Sequence, residues 1–339
     1  MNVFCRGECA IKPRITYLVL VLLFAAAMAL IACRPVATEV RNVAPTATPT
    51  PISTPLPPVP TQVPPGADDN PIRLLVNPDL TAASARSAAN RLTDELTERT
   101  GLSMLVETVT TDAEALAALC DSVGGAVNVA WVDGLTVLAA QAQDCGSPVL
   151  MVERGTGRRA ATGDTVQLVT QAERGVSSVA ALRNNASFCR VGYDDLATWL
   201  VPSIMLQAAG VMPSDIDEVA DYEDLDAVLA AVADGECDAA GVPASALAAA
   251  NAETRNALET LAESAPIPYS VLVYPPEMPL GARTALENAL TDLMADTDAG
   301  EPLRDLLSAD ALEHVDASDF EDLSDFIAAA GLDLARLGQ

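Results

Sequence analysis

The chain has 339 residues, enough for one large or two modest cores, and carries 47 Asp and Glu against 19 Lys and Arg, a net charge of −28. A surface of that sign repels nucleic acid and anionic lipid, which excludes a nucleic-acid partner, although a local pocket can oppose the global charge. The single histidine, His314, lies in an acidic segment with no serine or cysteine set out as a triad. With no phosphate loop, no G-x-G-x-x-G after a strand and no metal-spaced His/Cys cluster, no enzyme, cofactor or metal is expected.

At the N-terminus, Lys12 and Arg14 precede an apolar run over 15–32 that ends in Leu30, Ile31, Ala32 and Cys33. These are the parts of a signal peptide, residues 1–33, closing on a lipobox: a basic n-region, an apolar segment, and small residues before the cysteine that receives the lipid. The alternative is a permanent anchor of about 18 apolar residues, at the lower limit for spanning. Either way residue 34 onward is outside the membrane, and from there the chain holds no lysine. Residues 34–69 read as a tether. Ten of the 23 prolines fall between Pro35 and Pro65, among many threonines and few large apolar residues. Such a segment favours extended polyproline II, and residues 36–67 reach roughly 100 Å.

Short apolar runs then alternate with helical periodicity. Strands are predicted over 72–76, 104–108, 127–131 and 149–152, with helices over 82–99, 112–120 and 135–143 between them. A second series has strands over 166–170, 188–192 and 239–242, separated by helices over 198–209 and 224–233. A strand over 270–274 and helices over 282–294, 302–307 and 318–330 close the chain. This alternation predicts an α/β fold with parallel pairing. It also predicts two lobes: residues 70–155 with 265–339, and residues 156–264. Ligands in such folds sit beyond the carboxyl ends of the strands, where helix N-termini offer free N–H groups.

Of the seven cysteines, Cys5 and Cys9 precede the lipobox and Cys33 belongs to it, leaving four. Outside the membrane two disulfides are expected, and four cysteines allow three connectivities that the sequence does not settle. We favour Cys120 with Cys145 and Cys189 with Cys237, because each pair brackets one strand and helix step; four buried thiols are the alternative.

Three segments carry a resemblance: NVAWVDGLTVLAAQ at 128–141, FCRVGYDDLATWLVPSIMLQAAGV at 188–211 and GECDAAGVPASAL at 235–247. In order and spacing they resemble the phosphate/phosphite/phosphonate-binding family of ABC-transporter substrate-binding proteins. PIPYSVLVYPPEMP at 266–279 is similar to the strand that returns to the first lobe in that family. The resemblance implies the two-lobed type 2 periplasmic-binding-protein fold, hinge closure on a small oxyanion in the cleft, and delivery to a membrane permease. The pattern departs at the second helix start, where the family's serine, threonine, serine and glycine are Asp195, Leu196, Ala197 and Thr198, preceded by Asp194.

The candidate ligand-binding residues follow from this frame. Trp131 ends a strand and would wall a pocket, or else pack between helix and sheet. Asp133 and Thr136 open one helix, Thr198 opens its counterpart, and Thr81 follows the first strand; helix capping is the alternative role for each. Tyr193 would stack on a ligand or sit at a sheet edge, and Arg158 with Arg159 would attract an anion or remain solvated. The expected protein is a monomeric, lipid-anchored solute-binding component of an ABC importer, with a phosphonate- or phosphate-like oxyanion as its first candidate solute. A sensor or protein-interaction module on the same fold, without transport, is the alternative.

Overall fold

The computed structural model describes residues 63–332, apart from 79, 123, 124 and 185. The signal peptide, Cys33 and most of the tether lie outside the described residues.

The chain starts with strict alternation: β1 (Ile72–Val76), α1 (Ala82–Thr100), β2 (Met104–Thr108), α2 (Asp112–Cys120), β3 (Asn128–Val132), α3 (Gly134–Ala142) and β4 (Ser147–Glu153). Each helix begins where a short oxygen-bearing side chain can accept an N–H of its first turn: Thr81 from Ser84, Thr111 from Glu114 and Asp133 from Thr136. Helix α1 buries Ala85, Ala88, Ala89, Leu92 and Leu96, a single stripe at spacing three and four. It stops at Gly101, whose φ of 66° is the left-handed conformation glycine adopts without penalty.

The middle of the chain contributes β5 (Gly163–Asp164), β6 (Val166–Gln171), β7 (Ser187–Arg190), a π turn (Leu196–Leu200) running into α4 (Val201–Ala208), β8 (Glu218–Asp221), α5 (Leu225–Ala233), β9 (Ala239–Pro243), α6 (Ala244–Ala249), α7 (Ala252–Ala257) and β10 (Leu258–Glu263). The π turn has a local cause. Pro202 brings no N–H for the carbonyl of Thr198, and the turn before it widens, with Leu200 N–H bonding the carbonyl of Asp195 at 3.0 Å. The chain ends through β11 (Ile267–Pro268), β12 (Val271–Tyr274), α8 (Leu280–Ala295), α9 (Glu301–Leu307), β13 (Ala311–His314) and α10 (Glu321–Ala329).

The strands form two principal sheets, one per lobe. The first has the order β13-β4-β12-β3-β1-β2, the second β10-β6-β9-β7-β8. Wholly parallel pairing, expected from the alternation, is corrected by the structure. β1 pairs in parallel with β2 and β3, and β7 with β8 and β9, whereas β12, β13, β6 and β10 pair antiparallel with their neighbours. In the first sheet the antiparallel strands β12 and β13 come after the chain has crossed to the second lobe and returned; in the second sheet β6, the strand entered from the crossing, runs opposite to its neighbours.

Alternate residues of the first sheet face different layers. Leu74 and Val76 join the core shared with α1, α8 and α9, while Leu75 joins the core shared with α2 and α3. Cys120 is bonded to Cys145, tying the end of α2 to the turn before β4, and Cys189 to Cys237, tying β7 to the turn before β9. The chain crosses between the lobes beside a two-stranded antiparallel ribbon of β5 and β11. A Cβ on Gly163 would lie 2.4 Å from the carbonyl oxygen of Ile267, so this crossing requires glycine.

Candidate functional site

A cleft of about 630 Å³ opens where the two lobes meet, within the usual range for small-molecule sites. Its first-lobe wall is built from residues just past the carboxyl ends of strands: Asn77 after β1, Thr110 to Asp112 after β2 and Asp133 after β3. Its second-lobe wall comes from Asp194 and Asp195 and from Leu200, Ser203, Ile204 and Gln207 of the π turn and α4. Tyr269 closes one end beside the lobe crossing, and Ile327 of α10 reaches in from the C-terminal segment.

The polar groups of the first-lobe wall form a connected set. Asp112 Oδ1 accepts the Asn77 amide at 3.2 Å, and its Oδ2 accepts the backbone N–H of Asp133 at 3.0 Å. Asp133 Oδ1 accepts the N–H of Thr136 at 2.8 Å. Thr111 Oγ1 accepts Glu114 N–H at 3.2 Å. Across the cleft Asp195 Oδ1 accepts both the N–H of Thr198, at 2.7 Å, and its hydroxyl, at 2.6 Å. Burial pushes the Asp133 carboxyl up to about 8, reinforced by the charge of Asp112 and by a hydrogen bond shared with it; the bonds from Thr136 pull the other way. The Asp133 carboxyl thus tends to keep its proton at the cleft wall.

This placement, two mixed sheets with a cleft beyond their strand ends, coincides with a family-wide pattern. Residues 74–320 match the model of the ABC transporter, phosphonate, periplasmic substrate-binding protein family. The chain belongs to this family. Its members bind small solutes outside the cytoplasmic membrane and hand them to an ABC permease. No curated protein matches the sequence. Among solved structures it is similar to XAC2383 from Xanthomonas citri bound to chloride ion, with 15% identity over 77% of this chain and 97% of that one and a TM-score of 0.59. It is also similar to a binding protein component of an ABC phosphonate transporter from Pseudomonas aeruginosa, with 14% identity over 78% and 87% of the two chains and a TM-score of 0.55. PhnD1 from Prochlorococcus marinus in complex with methylphosphonate aligns at 15% identity over 75% and 96%, with a TM-score of 0.50. At these identities the structures share the fold.

The predicted site residues divide by location. Asp133 and Thr136 line the cleft, and Thr81, Trp131, Tyr193 and Thr198 are not among its lining residues. Trp131 is 1% exposed in the core shared with α1 and α8: both faces of β3 are buried, and the alternation points this indole away from the opening. Thr198 is buried, with its hydroxyl donating to Asp195 and accepting the N–H of Val191 at 3.0 Å. Thr81 caps α1 on the exposed surface. Tyr193 is 72% exposed and stands beside Arg190, whose guanidinium lies 4.5 Å from the centre of the Trp199 ring. Arg158 and Arg159 form an exposed 3₁₀ turn, and His314 is exposed on the edge strand β13.

Asn77, Asp112, Ser203, Gln207 and Tyr269 line the cleft without having been singled out from sequence. One signal was available for Asp112: it follows a parallel strand in the same way that Asp133 does, and the carboxyl-end rule applies equally to both.

Proposed function

We propose that the chain is a lipid-anchored, monomeric solute-binding component of an ABC importer that closes residues 70–155 with 265–339 and residues 156–264 upon a small solute. The observation that carries the reading is the cleft itself, formed by both lobes at the carboxyl ends of their strands in a member of a solute-binding family. Cys33 would hold the lipid, and the proline-rich tether would let the domain range between solute and permease. Phosphonate- and phosphate-like oxyanions are the first class the family suggests.

The test is a thermal-shift screen of the full chain against phosphate, phosphite, phosphonates, sulfonates, amines, and uncharged vitamins and sugars. A solute at 100 times its dissociation constant adds about 2.7 kcal/mol to stability. A rise with one class supports capture. No rise with any compound favours a sensor or protein-interaction module on the same fold.

A further inference from the structure

The chain leaves the first sheet at Val315, whose N–H donates to the carbonyl of Val149 at 3.0 Å. A 3₁₀ turn (Ala317–Phe320) and α10 follow. In this segment the polar groups serve one another. Asp316 Oδ1 accepts the N–H and the hydroxyl of Ser318, at 2.8 and 2.6 Å, and Asp319 Oδ2 accepts the N–H of Asp316 at 2.7 Å. Ala330 and Gly331 donate back to the carbonyls of Ile327 and Ala328. Among the described residues no hydrogen bond and no ion pair joins 316–332 to the rest of the protein.

Apolar side chains seat the segment. Phe320, Leu323 and Ile327 are buried in one cluster with Leu135 and Val137 of the first lobe and Trp199 and Ile204 of the second, and Phe326 and Leu332 pack against it. Leu323 lies over the start of α3, where a Cβ on Gly134 would come 3.0 Å from Leu323 Cδ2. Ile327 and Leu332 line the cleft with Leu116, Leu135, Leu200 and Ile204. An element held by a hydrogen-bonded ladder strands unpaired groups when it detaches; a segment whose bonds are internal keeps them and exposes only apolar surface, so its opening is local. Charge works against the seating. Residues 316–332 carry Asp316, Asp319, Glu321, Asp322 and Asp325 and no basic residue, beside a cleft lined by Asp112, Asp194 and Asp195. The Debye length is about 30 Å at 0.01 M salt and about 3 Å at 1 M, so dilute salt lets these carboxylates repel and concentrated salt screens them.

We propose that residues 316–332 are a strap over the apolar part of the cleft, seated by apolar contact and able to lift as a unit, with salt favouring the seated position. The inference rests on the solute-capture reading for what a lifted strap would admit. The lifting itself is measured without a solute.

Two readouts on the full chain in detergent test it together. Hydrogen exchange, followed by mass spectrometry, reports the strap: the amides of α10 should exchange about tenfold or more faster than those of β3 and β9, and that ratio should widen severalfold between about 1 M and about 0.01 M salt. Leu135→Cys, at a buried position lining the cleft, reports the cover: with the native Cys120–Cys145 and Cys189–Cys237 bridges intact, iodoacetamide should label it faster in dilute salt, in step with strap exchange. Ile327→Ser removes one apolar anchor and should raise both rates, leaving exchange in β9 within twofold. If that variant does not fold, the salt series on the unsubstituted strap carries the test. Strap amides that exchange no faster than β3, a ratio indifferent to salt, or labelling that rises while the strap stays protected would each overturn the inference. None of these outcomes bears on solute capture, which the thermal-shift screen decides.

Discussion

Replacing Asp133 by asparagine tests whether the Asp133 carboxyl keeps its proton at the cleft wall. The new amide's oxygen can still accept the Thr136 N–H and its NH₂ can donate to Asp112, so the variant imitates the protonated acid permanently. In the folded protein the Asp133 carboxyl titrates near 8 instead of its usual 3.8. A group raised in this way keeps its proton when folded and loses it when unfolded. Its stability contribution is complete below about pH 4 and is lost as the pH rises toward 8, at up to about 1.4 kcal/mol per pH unit. Because Asp133 is half-buried and shares a hydrogen bond with Asp112, we expect roughly 1–2 kcal/mol of this effect between pH 5 and 8. Urea melts at pH 5 and pH 8 provide the assay. Wild type and Asp133→Asn should match at pH 5, and the variant should be more stable by that amount at pH 8. Parallel losses in both proteins between the two pH values would refute the retained proton.

The disulfides and the crossing glycine give further tests. The Cys120–Cys145 and Cys189–Cys237 bridges span 25 and 48 residues, and loop-closure entropy gives them about 3.5 and 4 kcal/mol. Removing each as a Cys→Ser pair should lower the unfolding free energy by amounts in that order, read in urea without reductant. Gly163→Ala places a methyl 2.4 Å from the carbonyl oxygen of Ile267, and should cost about 1–3 kcal/mol, with the loss measured in the same melts. An unchanged stability would show that the ribbon yields without strain.

Most helices and the central strands were legible because their apolar spacing is regular, whereas the short helices α6 and α7, which bury no residue, were not; the strands that escaped the sequence share one property. β8, β10 and β13 are edges of their sheets. Their residues, EVAD, LETLAE and ALEH, are mostly half-buried or exposed, so the apolar signal that marks a strand with neighbours on both sides is missing. The site was less legible. A strand buried on both faces, such as β3, gives no sign of which face meets the cleft, so Trp131 read equally well as wall or core. Asp133 and Asp195 carry the sequence signature of helix caps, and they do cap; only the lobes' arrangement shows that Asp133 and Asp112 are joined at an opening. Ser203 and Gln207 lie inside a helix, where nothing local distinguishes them from ordinary polar positions.

The order of strands in the first sheet sets a schedule for an exported chain. β12, from residues 271–274, lies between β3 and β4, so two strands that are near neighbours in sequence have no common partner until the chain is four-fifths complete. The strands of the second sheet all fall within residues 166–263, and that lobe can assemble as soon as they are clear of the membrane. The first lobe must wait for its central strand. A chain that crossed N-terminus first would complete its first sheet, and with it the cleft, only after nearly all of the chain had crossed.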